Sequence, residues 1–187
     1  MPIGQAKFGL LGGVVDPGKL ELIETQTVSA STAADFTSLG SYNVHFLTVN
    51  DVDVATDNDR LQLRFSNDGG STFESSNYKY GNQTMEADGT AVESKSNTAS
   101  SLITTCLTGN GTNEKAVSYI YLYNLSDSSK YSFQTWQSVS INDEPILQTR
   151  FGGGLYAVAE TINAVRLFSN AATNFSATAS LYGIAES

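Results

Sequence analysis

From Leu20 onward, hydrophobic and polar residues alternate with a period of two in short runs, each bounded by Gly, Asn, Asp, Ser or Thr. Period two places successive side chains on opposite faces of an extended backbone, so each run reads as a strand with one face buried. The cleanest is Arg60 to Ser66, where Leu61, Leu63 and Phe65 alternate with Gln62, Arg64 and Ser66. Similar runs lie at Leu20 to Val28, Tyr42 to Val49, Glu74 to Tyr80, Leu102 to Leu107, Ala116 to Leu125, Tyr131 to Ile141, Ile146 to Phe151, Val158 to Ser169 and Phe175 to Ile184. The polar stretch from Gly81 to Ser100 predicts an exposed loop. No stretch carries a helical period. About ten strands at near-regular spacing predict an all-β fold, an antiparallel jelly-roll-like β-sandwich, over residues 20–187.

Residues 1–19 break both periods with five glycines and two prolines. They read as an extended apolar arm. Ile3, Phe8, Leu10, Leu11, Val14 and Val15 are costly to leave in water, up to about 1.5–3 kcal/mol for each large side chain. The arm is therefore expected to be covered, either by the open edge of its own sandwich or by a neighbouring subunit, and assembly is the role we expect of it.

Charged residues make up 16% of the chain, against about 25% in a typical soluble domain. Uncharged polar residues fill the gap, as in many β proteins. A formal net charge of −9 opposes binding to a polyanion, so no nucleic-acid partner is expected. The single cysteine, Cys106, has no disulfide partner in the chain, and with no Cys/His cluster around it reads as core filler. No run reaches the roughly 18 apolar residues of a membrane span, and the first residues lack the order of a signal peptide. Synthesis in the cytosol without membrane insertion is the expectation.

Several groups of residues bear on chemistry. Asp51, Asp53, Asp57 and Asp59 fall in one connection, where hard oxygen ligands would gather calcium. They lack the Gly and Glu of an EF-hand loop, and Asp is also an ordinary turn former, so a structural turn and a calcium staple both stand. His45 lies within a strand run and has no nucleophile elbow to serve. Asp143-Glu144 precedes Pro145 and reads as a turn, while Gly152-Gly153-Gly154 lacks the Lys-Ser/Thr of a phosphate loop and reads as a bulge or close-packed bend. No catalytic constellation emerges, and the chain is not expected to be an enzyme. Tyr119, Tyr121 and Tyr123 share one face of a strand opposite Ile120 and Leu122. With Trp136 they form either core, the centre of a subunit interface, or a platform for sugar rings.

Two resemblances add to this. Ser66-Asn-Asp-Gly-Gly-Ser-Thr-Phe73 resembles the Asp-box of sialidase-like propellers, with Phe73 in place of Trp. A single copy builds no propeller, so the motif implies a hairpin turn with Asp68 accepting backbone N–H groups, and no sialidase activity. Phe8-Gly-Leu-Leu-Gly-Gly, Lys19-Leu-Glu-Leu-Ile-Glu24 and the closing Phe175-Ser-Ala-Thr-Ala-Ser-Leu-Tyr-Gly-Ile184 are similar to small structural proteins of tailed bacteriophages, especially marine ones. That resemblance implies a virion location after synthesis in the bacterial cytoplasm, and a capsid-decoration, adaptor or short tail-appendage role. It also implies contact with other virion proteins and with further copies of the chain, a trimer being the expected oligomer. A host-surface glycan is the alternative partner, recognised through the tyrosines and a calcium-held loop.

Overall fold

The computed structural model describes residues 19–185, which contain strands and no helix. In chain order the strands are β1 (Leu20–Ser31), β2 (Ala33–Phe36), β3 (Val44–Val54), β4 (Leu61–Ser66), β5 (Tyr78–Glu86) and β6 (Ala91–Ala99). There follow β7 (Leu102–Ile103), β8 (Ala116–Tyr123), β9 (Tyr131–Ile141), β10 (Leu147–Ala159), β11 (Ala164–Ser169) and β12 (Phe175–Ile184). One sheet has the order β1-β12-β3-β8-β9-β10-β5-β6 and the other β2-β11-β4-β7, with every pairing antiparallel.

With β5, β6, β9 and β10 set aside, two four-stranded sheets remain, β1-β12-β3-β8 and β2-β11-β4-β7. The chain passes between them at each step except from β4 to β7, which is the jelly-roll winding of a β-sandwich. The two inserted strand pairs both add to the first sheet beyond β8, making it eight strands wide. Leu47, Ile120 and Leu181 of the wide sheet pack against Phe36, Leu63 and Leu167 of the narrow one, all fully buried. Phe65, Tyr78 and Tyr156 form an aromatic trio with centroids 5.1–6.1 Å apart, and the Tyr78 hydroxyl accepts the Phe65 N–H at 2.8 Å.

The structure departs from the sequence reading in several places, among them the run Leu102 to Leu107, of which only Leu102–Ile103 is strand. Gly81 to Ser100 is not a loop: it is most of the β5–β6 hairpin, paired from Tyr78↔Ala99 to Met85↔Ala91. Backbone pairing needs no apolar side chains, and an edge strand with little covering it shows no alternation. Ala33–Phe36 is a strand too short to reveal a period. The glycines 152–154 do not bend the chain but lie within β10; a Cβ on Gly152 would meet Asn82 Cβ at 2.5 Å, and one on Gly154 would meet Leu102 Cδ2 at 2.6 Å. Finally, the Ser66–Phe73 motif is not a hairpin between paired strands. Glu74 N–H closes it onto Phe65 C=O at 2.8 Å, but β4 and β5 belong to different sheets, so the turn carries the chain across the sandwich.

Within that turn Asp68 acts as expected. Its carboxylate accepts the Thr72 N–H at 2.9 Å and the Thr72 and Ser66 hydroxyls at 2.7 Å each. These bonds pull its pKa down to about 2, the Thr72 backbone bond contributing most. Phe73 stacks beneath the Arg166 guanidinium, 4.0 Å from its ring centroid.

Where β9 and β10 face inward, joined by Ser118 of β8, the sandwich is lined largely by polar side chains. The segment following β7 lies against this face and makes only one isolated bridge, Asp59↔Thr108, so its backbone groups need other partners. Gln134 Nε2 donates to Ile103 C=O at 2.6 Å, Ser118 Oγ to Thr104 C=O at 2.6 Å and Ser140 Oγ to Leu107 C=O at 2.6 Å. Ser138 Oγ accepts the Cys106 N–H at 3.0 Å, and Gln148 Oε1 accepts the Leu107 N–H at 3.1 Å. The buried segment is held by side chains in place of a ladder.

Candidate functional site

Because the inward positions of β9 and β10 are taken by Ser, Gln and Arg, their apolar residues point outward. Across the wide sheet Leu22, Tyr182, Phe46 and Tyr121 lie in one register row. Phe46 packs on Tyr121 at 4.8 Å between centroids and on Tyr182 at 6.2 Å, while Tyr121 meets Tyr119 and Tyr123 at 6.3 and 6.4 Å. The register continues the face onto the next strands: Phe133 stands opposite Tyr123, Leu155 opposite Phe133, and Val139 opposite Val117. Val117, Tyr119, Phe133, Val139, Leu147 and Phe151 are each 37–47% exposed. The Tyr119 hydroxyl donates to Gln137 Oε1 at 2.7 Å and that of Tyr123 shares a hydrogen bond with Thr135 Oγ1 at 3.1 Å, so these rings are fixed in place in the free chain.

The extent of the face follows from strand geometry. Six strands about 4.8 Å apart and about eight residues long, rising about 3.3 Å each, span on the order of 600 Å². The whole face, with Ser180, Thr48, Thr135 and Gln137 interleaved among its apolar residues, compares with the roughly 800 Å² that a standard protein interface takes from each partner.

Toward β5 the face opens. Gly153 and Gly81 are paired opposite one another with no side chain between them, and the gap is a hollow of about 510 Å³ bordered by Phe133, Leu155, Lys79 and Asn97. A second hollow of about 320 Å³ adjoins it, bordered by Phe151, Gln83, Glu93 and Lys95.

The other candidate residues are dispersed. Trp136 belongs to β9 but to its inner face, 4% exposed among core residues, so it forms no surface with the tyrosines. The parity of its position, odd-numbered residues out and even-numbered in, separates it from Phe133. The four aspartates do not converge. Asp53 pairs with Lys115 at 2.7 Å, and Asp57 accepts the Asn110 N–H at 3.2 Å. Asp59 is buried, accepting the Ser169 hydroxyl at 2.5 Å and the Ala171 N–H at 3.1 Å, and Asp51 takes a positive φ within β3, where the register slips between Val49 and Val52. Among the described residues no group of three or more His, Cys, Asp or Glu is placed to hold a metal ion. The arm residues Ile3, Phe8, Leu10, Leu11, Val14 and Val15 lie outside the described residues.

His45 is buried with Nε2 2.9 Å from Leu39 C=O and its ring edge-on to Tyr42; burial lowers its pKa, so it is neutral at pH 7. Burial raises the pKa of Cys106, whose thiol donates to Ser138 C=O at 3.3 Å. Sequence reasoning passed over Arg150, an inward position of β10 only 4% exposed, although a charged residue at the parity of Gln148 and Tyr156 was a readable signal. Compared with known proteins, the chain matches no family model and no curated sequence.

Proposed function

We propose that this chain is a non-enzymatic structural subunit of a bacteriophage particle, assembling into a closed homo-oligomer through the outer face of its eight-stranded sheet. The observation that carries the reading is the polarity of β9 and β10, mostly polar inside and apolar outside, continued by the outward Val117, Tyr119, Tyr121 and Tyr123 of β8. Evolved surfaces place Tyr, Phe and Val outward in one connected face where another surface covers them. The jelly roll supports a capsid-type role by analogy of architecture alone, since the fold also serves lectins. The similarity of both chain ends to small tailed-phage proteins supplies the virion setting. In a cyclic arrangement, with three copies expected, two different parts of this face meet head to tail at each contact, which leaves the arm of residues 1–19 to contact a neighbouring virion protein.

One observation favours a second reading, a glycan-binding module. The hollow over Gly81 and Gly153 has a glycine floor, the Phe133 ring beside it and polar Lys79 and Asn97 at its rim, which suits a sugar ring stacked on an aromatic.

Immunogold labelling of particles released at host lysis tests the first reading. The chain should decorate each particle at a fixed position. Unlabelled particles, with the chain confined to the soluble fraction and binding a glycan array in a manner lost in Phe133→Ala, would replace it with the second.

A further inference from the structure

We propose that Arg60 and Arg150, with Tyr80 and Asn82, form a binding site for a small oxyanion of the phosphate type, on the inner face of the wide sheet where the narrow sheet ends. The inference is independent of the assembly reading. Arg150 extends inward from β10 between Ser138 and Thr84, its register partners on either side. Its Nε donates to Asn82 Oδ1 at 2.8 Å. Arg60 is brought to the same place by the buried segment: Leu61 N–H bonds to Thr105 Oγ1 at 2.9 Å, and the next residue, Cys106, rests on Ser138. Burial, then the charge of Arg60, draws the Arg150 pKa down to about 10; Tyr80 is close enough to act on both guanidiniums.

Among the described residues the ion pairs engage Lys115, Lys130 and Arg166, and neither Arg60 nor Arg150. Asp59, adjacent in sequence, acts on Arg60 through its charge but forms no ion pair with it, its carboxylate accepting from Ser169 and Ala171. The nearest carboxylate along β5, Glu86, accepts from Gln148 Nε2 at 2.7 Å. Two buried donors, Arg60 Nε and Asn82 Nδ2, have no partner. The Asn82 amide is oriented by Arg150, whose N–H requires the oxygen to face it, and so its NH₂ cannot be turned to advantage.

A chain with nineteen acidic residues has thus placed two guanidiniums together with no ion pair to either. Burying such charges uncompensated is expensive. An oxyanion supplies both the countercharge and several acceptors, and the planar guanidinium fork matches its oxygens. Arg60 is only partly buried, which leaves an approach for a small ion from its side.

The test is thermal unfolding of the full chain in about 10 mM sodium phosphate against sodium chloride of equal ionic strength. An ion bound to the folded state alone at a hundredfold excess over its Kd raises Tm by about 5–10 °C, and that shift is expected for the native chain in phosphate. Arg60→Gln, at the half-exposed position and so expected to fold, should abolish the shift. ³¹P NMR provides a second reading, with exchange broadening of the phosphate signal by the native chain and none by Arg60→Gln. Equal Tm in the two salts, or a phosphate shift that persists in Arg60→Gln, overturns the proposal.

Discussion

Replacing Gln148 with leucine is expected to destabilise the chain by about 3 kcal/mol, lowering Tm by about 6–12 °C. An inward strand position that is 2% exposed would ordinarily favour leucine. Here the amide is used at both ends: Oε1 holds the Leu107 N–H of the buried segment, and Nε2 donates to Glu86 Oε1 at 2.7 Å. Leucine leaves a backbone donor and a carboxylate without partners, and each such loss costs about 1–3 kcal/mol. Thr149→Leu, one residue on and facing out, should change stability by less than about 0.5 kcal/mol. Denaturant unfolding of the two variants beside the native chain measures both. Equal stability of Gln148→Leu and the native chain would mean that the polar lining does not hold the segment.

The second large effect is on assembly. Tyr121→Glu and Phe133→Glu each place a carboxylate in the apolar outer face, which must be desolvated when a partner covers it. Each is expected to weaken self-association at least about 100-fold, equivalent to about 2.7 kcal/mol, and to shift the sedimenting species toward the 19.9 kDa monomer. The monomer should keep its fold, because neither side chain contributes to the core between the sheets. Asp88→Lys, in the turn between β5 and β6, should leave association unchanged. Variants that sediment as the native chain does, at the same concentrations, would argue against this face as the contact.

Much of the fold was legible because the strands that build the jelly roll alternate cleanly. Leu61, Leu63 and Phe65 all lie in the core, and Tyr119, Tyr121 and Tyr123 share a face as their spacing requires. Alternation says that two faces differ, however, and not which of them is wet. For β9, written Tyr-Ser-Phe-Gln-Thr-Trp-Gln-Ser-Val-Ser-Ile, the ordinary rule puts Phe133 and Val139 inside; the structure puts Gln134, Ser138 and Ser140 there, because an unladdered segment needs donors and acceptors beneath it. That requirement comes from residues about thirty positions away and leaves no local mark. Trp136 is misleading in the opposite sense, its aromatic character pointing to a surface role while its parity with Gln134 and Ser138 places it inside. The β5–β6 strands are hidden by polar sequence on both faces, and the spacing of the aspartates carries no mark of the separate partners of Asp53, Asp57 and Asp59. Arg60 lies just before β4 and Arg150 within β10, so the charge each exerts on the other joins residues remote in sequence.

Hydroxyl-radical footprinting of the native chain reads whether the outer face of the wide sheet is covered in the assembled protein. At concentrations where the chain is oligomeric, oxidation of Tyr119, Tyr121 and Phe133 should be suppressed several-fold relative to the dissociated Tyr121→Glu or Phe133→Glu variants at the positions they retain. Phe168, on the far side of the narrow sheet beneath Arg64, should react equally in all. Tyr119 and Phe133 oxidised in the native chain at the rates of the dissociated variants, with no dependence on concentration, would contradict the account.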